Sequence, residues 1–341
     1  MTDADVLVAG AGPVGLATAL YLAEAGLSVL VAEPRTGPID KACGEGLLPA
    51  AVRALAELGV QPRGQELHGI GYRDGNHAVD ARFRDGTGRG VRRTELQSAL
   101  SSAVLARGIP IVEATVAGIE QDGRTVRAAG LTARYLVAAD GLHSGIRDAL
   151  GLTGPAGRQP KRWGQRRHYR LAPWTDLVEV HWSRHAEAYV TPVASDQVGV
   201  AILSSRREPF DLQLQAFGEL AGRLGSVTGS PVRGAGPLRQ DVRSRVAGRV
   251  LLVGDAAGYV DALTGEGISV GLYSARRLAH CLRADRPQDY ERGWRQASRR
   301  YRVLTESLLF AAGRPVLRAR IVPVAAAAPW LFGAAVNQLS P

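Results

Sequence analysis

The chain has 341 residues, 45% hydrophobic and 22% charged, which suits one large or two medium globular domains and excludes disorder over most of its length. Lys41 and Lys161 are the only lysines, so 40 of the 42 basic residues are arginine; against 32 acidic residues the formal charge is +10, dispersed along the chain as a compositional bias. The two cysteines, Cys43 and Cys281, exclude a disulfide scaffold and a thiolate-built zinc site and fit a reducing cytoplasm.

Asp5 to Ala9 is a short apolar run, followed by the turn Gly10-Ala11-Gly12-Pro13-Val14-Gly15. Leu16, Ala19, Leu20 and Ala23 then recur at helical spacing until Gly26, and Leu27 to Ala32 forms a second apolar run ending at Glu33, Pro34 and Arg35. The pattern predicts strand, helix, strand. In it Gly10 permits a tight turn, Gly12 lets the backbone approach a pyrophosphate, and Gly15 allows helix and strand to pack closely. The free amides of the helix N-terminus attract the same anion. Glu33, 23 positions beyond Gly10, stands where a carboxylate accepts ribose hydroxyls. Dinucleotide binding follows from these elements together.

The glycine-broken loop Lys41-Ala42-Cys43-Gly44-Glu45-Gly46 leads to a helix over Ala50–Leu58, stopped by Gly59. Residues Gly69–Arg92 alternate and predict hairpins; Arg93–Arg107 is an amphipathic helix stopped by Gly108. Strands are expected over Ile109–Val116 and Tyr135–Ala139, with a hairpin through Asp122-Gly123 between them. Val178–Trp182, Ala188–Val190 and Val198–Leu203 read as an antiparallel sheet. Arg249–Val253 returns to an apolar strand before Gly254-Asp255, and helices are expected over Ile268–Ala284 and from Gln288 to about Gly313. The tail Ile321–Val336 is apolar and broken by Pro323 and Pro329; it reads as a packed helical cap, with a monotopic membrane contact as the lesser reading.

No run reaches the roughly 18 apolar residues of a spanning helix, and the N-terminus shows neither the basic region nor the cleavage site of a signal peptide. The basic stretch Arg158–Arg170 carries Trp163 and Tyr169, which makes nucleic-acid binding a remote alternative; an exposed strand face or an anion-accepting cleft is the simpler reading. The seven histidines have no paired-ligand spacing, so no metal site is expected. His168 and His181 fall on expected strands, as structural residues before substrate partners.

With the glycine turn at the N-terminus, Asp140-Gly141 after one strand and Gly254-Asp255 after another, the chain resembles the class A flavoprotein monooxygenases of the para-hydroxybenzoate hydroxylase type and their geranylgeranyl reductase relatives. The resemblance implies an α/β fold: a Rossmann-like FAD-binding domain (1–68, 93–155 and 245–285), an inserted, mostly antiparallel β-sheet substrate domain (69–92 and 156–244), and a C-terminal helical cap (286–341). It implies FAD, with Glu33 on the adenosine ribose, Arg93 and Gln97 toward the pyrophosphate and ribityl chain, Val116 beside the nucleotide, Asp140 and Gly141 at the DG motif, and Asp255 on the ribityl hydroxyls. Gly265, Glu266, Gly267 and Ile268 precede a helix whose amides suit negative charge on a reduced flavin. Cys43 and Gly44 match the CG pair of the reductases, and Lys41 stands where hydroxylases carry a basic residue, so these two are the catalytic candidates.

The implied activity is NAD(P)H-dependent hydroxylation of an aromatic or polyketide-derived phenol through a flavin C4a-hydroperoxide, on a small aromatic or apolar molecule of secondary metabolism. The CG loop leans instead toward a reductase or dehydrogenase of an unsaturated, isoprenoid-like substrate, and the chain is short for a halogenase. The implied transient electron donor is NADH or NADPH.

Overall fold

The computed structural model describes residues 2–155, 157, 160–225 and 227–338. Strand Ala4–Ala9, helix Pro13–Glu24 and strand Val29–Ala32 form the expected unit. Ala4–Ala9 lies inside a parallel ladder, with Val8 in register with Val31 on one side and Val137 of strand Leu131–Ala138 on the other. Leu131–Ala138 pairs in parallel with Val250–Leu252, and Val29–Ala32 with Ile111–Val112. These strands are covered on both faces, which is why they read as continuous apolar runs. Helix Arg93–Ala106 and the long helix Gly267–Arg283 pack against Pro13–Glu24 over this sheet.

The strand expected over Ile109–Val116 is shorter. Only Ile111–Val112 pairs, because it lies at the sheet edge and its partner strand ends at Ala32. Glu120–Gln121 and Val126–Ala128 supply the expected hairpin around Asp122.

A second sheet of seven strands orders Arg233–Ala235, Trp163–Tyr169, Gln197–Ser204, Ala186–Ala194, Leu177–Trp182, Gly69–Arg73 and Ala78–Arg82. Every pair is antiparallel except Leu177–Trp182 with Gly69–Arg73. Strand periodicity sends alternate side chains to two cores. Ala186, Ala188, Val190, Val198 and Val200 pack with Phe210, Phe217 and Leu220 of two short helices, Phe210–Leu214 and Gly218–Leu224. Tyr189, Ala201, Leu203, Val180 and Trp182 face the other way, toward Val322, Phe332 and Val336 of the tail.

The tail is helical, as Ile321–Ala327 and Pro329–Gln338, after the long helix Asp289–Ala312 and the turn Pro315–Arg318. Among the described residues no single helix is long and apolar enough to cross a membrane. Buried Arg318 ties this region to the second sheet: it donates to the carbonyls of Ser183 and Ala186 and pairs with Glu187 at 2.6 Å. Arg162 pairs with the same Glu187 and with Asp261.

Among the described cations of the basic stretch, only Lys161 and Arg170 are exposed. Arg162 and Arg166 are internal counter-ions, Arg166 against Asp40, while Arg167 pairs with Asp211. Arg158 lies outside the described residues.

Candidate cofactor and substrate cavity

One cavity of about 1340 Å³ runs from the first glycine turn to the C-terminal helices. Its polar end is built at the ends of parallel strands. Gly10 has φ +109°, and a Cβ there would meet the Ala139 carbonyl oxygen at 2.6 Å; a Cβ on Gly15 would lie 2.0 Å from Gly10 O. Side chains are excluded at both positions by the approach of helix, turn and neighbouring strand. Gly12, by contrast, faces the cavity, with only Arg93 Nη2 at 3.7 Å from such a Cβ. The helix begins there with Pro13 and no side-chain cap, so its first-turn amides remain for an anion.

Glu33 is buried at the end of its strand. It accepts from the Ala11 amide at 2.9 Å and from Arg35 Nε at 2.7 Å. Burial alone would raise its carboxyl, but the Arg35 guanidinium and the Ala11 amide bring it below its ordinary value. Asp255 shows the opposite balance. Burial raises it, against the pull of Arg93 and Lys41. Lys41 lies with its Nζ 3.6 Å from where a Gly141 Cβ would be, and desolvation, Arg35 and Arg93 lower it.

Of the residues expected from the sequence, the cavity wall contains Gly10, Gly12, Pro13, Val14, Glu33 and Arg35; Lys41, Ala42, Cys43, Gly44 and Arg93; Asp140, Gly141, Gly254 and Asp255; and Gly265, Gly267 and Ile268. Five chain segments far apart in sequence thus meet at one end. Ala11 stands behind Glu33, Gly15 serves packing, and Gln97 reaches from its helix to Ser101 and the Ala11 carbonyl. Pro34, Val116 and Glu266 are also outside the wall; Val116 packs against the core beyond the short edge strand.

These residues fit FAD. A pyrophosphate needs amide donors and cations, and ribose and ribityl hydroxyls need acceptors. Arg93 Nε and Asp140 Oδ1 are buried without hydrogen-bond partners, a donor and an acceptor left for a ligand. The helix Gly267–Arg283 also starts without a side-chain cap, bringing Gly267 and Ile268 to the wall.

The middle of the cavity holds a junction that sequence reasoning missed. Glu45 has φ 60° and is buried; its Oε1 accepts from the Arg93 amide at 2.9 Å and its Oε2 lies 2.6 Å from His168 Nε2. His168 also contacts Arg166, which bonds Asp40 and the Lys41 carbonyl. Thr191 Oγ1 donates to the Gly44 carbonyl at 2.8 Å. The CG loop is thereby fixed to the second sheet on both sides of Cys43. His168 is structural, and its partner lies 123 residues away, so no local pattern announces it. Cys43 accepts from the Glu45 amide at 3.4 Å, and burial pushes its thiol up against the opposing Arg93.

Beyond this junction the wall turns apolar. Ile70, Val180, Leu203, Leu308, Ile321 and Phe332 form much of it. Tyr189 and Tyr259 also contribute, and Tyr189 donates to the Leu263 carbonyl at 2.7 Å.

A family model described as FAD binding domain matches residues 3–212. Menaquinone reductase of Mycolicibacterium smegmatis is 30% identical over 340 residues, covering 86% of this chain and 80% of that protein. Digeranylgeranylglycerophospholipid reductase 1 of Methanopyrus kandleri is 31% identical, covering 80% of this chain and 78% of its own. A 3-(3-hydroxy-phenyl)propionate/3-hydroxycinnamic acid hydroxylase of a Mycobacterium strain is 30% identical over 83% of this chain, which spans 54% of that enzyme. Among solved structures, a flavoprotein/dehydrogenase from Cytophaga hutchinsonii has a TM-score of 0.79 at 18% identity, covering 94% of this chain and 88% of its own; the likeness is one of fold.

Proposed function

The chain belongs to the FAD-binding domain family and is an FAD-dependent oxidoreductase, and from that premise we propose that it reduces carbon–carbon double bonds in a long isoprenoid chain, with NADH or NADPH as the transient donor. The observation carrying this reading is the apolar chamber continuous with the glycine turns and roofed by the C-terminal helices. At about 1340 Å³ the cavity has room for a cofactor at its polar end and a second molecule beyond it, a single drug-sized site being roughly 300–1,000 Å³. The likeness to reductases named for menaquinone and digeranylgeranylglycerophospholipid supports the same substrate class.

Saturating one double bond takes a hydride at one carbon and a proton at the other. FAD held at the glycine turns supplies the hydride when reduced. This chain's residues do the remainder. The amides after Gly12, with Arg93, would hold the pyrophosphate, and Glu33 and Asp255 would accept from the sugar and ribityl hydroxyls. The chamber orients the isoprenoid and excludes water. Cys43 stands in the wall where the two ends meet, and its raised thiol keeps its proton at neutral pH, available at Sγ for the alkene.

Hydroxylation of an aromatic or polyketide-derived phenol is the second reading. It is supported by the hydroxylase likeness and by Gln165 and Arg166 in the wall. The two separate in one experiment. After the chromophore is released and identified as FAD, NAD(P)H oxidation is followed with polyprenyl and phenolic substrates, with and without oxygen. Anaerobic turnover giving a product with two added hydrogens supports the reductase; a product with an added oxygen atom, formed only aerobically, replaces it with the hydroxylase.

A further inference from the structure

The largest exposed apolar side chains are unevenly placed. Phe310, Val316, Leu317, Val324, Trp330 and Leu331 are exposed within one stretch of 22 residues at the C-terminal end, with Val316 at 77% and Trp330 at 75%. From Ser307 to Gln338 there is no aspartate or glutamate, and the charged residues are Arg314, Arg318 and Arg320. Arg318 is consumed by the second sheet, whereas Arg314 and Arg320 are exposed. An apolar face carrying only cations is the composition of a surface that settles into the headgroup region of an anionic bilayer. A tryptophan at its edge, with apolar rings and one N–H donor, suits that boundary.

The second observation concerns the cavity. Val324 and Leu331 are exposed and also line the chamber, together with Ile321 and Phe332 of the same helices and Ala328 between them. The helices that roof the chamber therefore carry the apolar patch, and their shared residues form its rim. Pro315–Ala327 and Pro329–Gln338 are bent by 104° at the break between them, so they do not form one straight spanning helix.

We propose that Pro315–Arg318, Ile321–Ala327 and Pro329–Gln338 form a monotopic docking face that seats the protein on an anionic bilayer, with the mouth of the apolar chamber opening against the lipid. A second copy of the chain is the poorer occupant. A two-fold contact would oppose Arg314 and Arg320 to the same arginines with no acidic residue in the face to neutralise them. Docking stands on surface composition alone; the placement of the mouth rests on the reading of the chamber as an isoprenoid site.

The test is flotation of the FAD-loaded protein with vesicles of phosphatidylcholine, with and without phosphatidylglycerol. The parent should float with the phosphatidylglycerol vesicles. Val316→Glu combined with Trp330→Glu, neither of which lines the cavity, should cut the partition coefficient at least about tenfold while FAD retention and the circular dichroism spectrum stay those of the parent. Turnover of a short, water-dispersed isoprenoid should be unchanged, whereas turnover of a long one held in vesicles should fall with partitioning. A parent that does not float overturns the proposal. So does flotation insensitive to the double variant, since arginines alone would then explain it, and so does a parent dimer that the double variant dissolves. Flotation lost in the variant but without reduction of any isoprenoid leaves docking in place and removes the substrate reading instead.

Discussion

The two ends of the cavity are built by different means. At the cofactor end, recognition is made by backbone: turns at the ends of parallel strands, glycines at close approaches, and the uncapped starts of two helices. At the apolar end, which we propose takes the substrate, the wall is made by side chains from Ile70 to Phe332, which meet only because seven strands and two terminal helices are assembled in one order. The difference teaches that binding a constant polar cofactor can be encoded in a few consecutive residues, while an apolar shape exists only at the level of topology. Between them stands a junction of hydrogen-bonded polar side chains, Glu45 with His168 and Arg166 with Asp40, that joins the two.

Breaking the cofactor end should cost most. Gly15→Ala places a methyl 2.0 Å from Gly10 O, so the helix must move off the strand; the expected penalty is at least about 3 kcal/mol with loss of FAD. Parent-like urea midpoints and FAD affinity would show that this approach is not obligatory. Glu45→Ala tests the junction. It leaves His168 and Arg166 buried without one of their acids, at about 3–5 kcal/mol, and should alter the flavin spectrum because the loop carrying Cys43 loses its anchor. A loss of stability without any spectral change would place the junction away from the flavin.

Glu266 tests the edge of the cofactor end by pH. Desolvation raises its carboxyl to about 7 from 4.5, opposed by a hydrogen bond from Thr264. The protonated form is favoured in the folded state, so its stabilisation is complete below 4.5, shrinks as pH rises, and is gone above about 7. Relative to Glu266→Gln, the parent should lose up to about 3 kcal/mol across that window, read from denaturation midpoints of both proteins against pH. Parallel curves would mean that the carboxyl is solvated. Glu33→Ala should weaken FAD binding by about 1.5–3 kcal/mol, measured as a dissociation constant. At the substrate end, Tyr189→Phe removes one bond to Leu263 O and should cost only about 1 kcal/mol of stability, with FAD affinity unchanged. A large effect on FAD there would mean that the two ends are more tightly coupled than their construction implies.

The same contrast explains what was legible in the sequence. Gly10, Gly12, Gly15 and Glu33 could be assigned together because each position is determined by neighbours in one strand–helix–strand unit. The long helices Gly267–Arg283 and Asp289–Ala312 were readable from their periodicity and glycine stops. The Ile109–Val116 run misled, since its apolar residues pack on the core beyond the point where pairing ends. Arg162 and Arg166 were unreadable in kind: a buried arginine looks like a surface arginine until Glu187, Asp261 and Asp40 arrive from other segments. Glu45 could be seen as part of a loop, but its role depends on a histidine that only the sheet brings near.

Lysine's scarcity gives the cofactor end a chemical handle. Apart from the N-terminus, the protein has two primary amines, and one of them, Lys41, stands in the cavity wall. The depression of its ammonium, by desolvation and by Arg35 and Arg93, enlarges the fraction present as free amine. Exposed Lys161 provides an internal reference on the same chain. The ratio of acylation at the two sites should therefore fall as a ligand fills the polar end, which mass spectrometry of the acylated peptides with and without FAD would check without a dye, a tag or turnover.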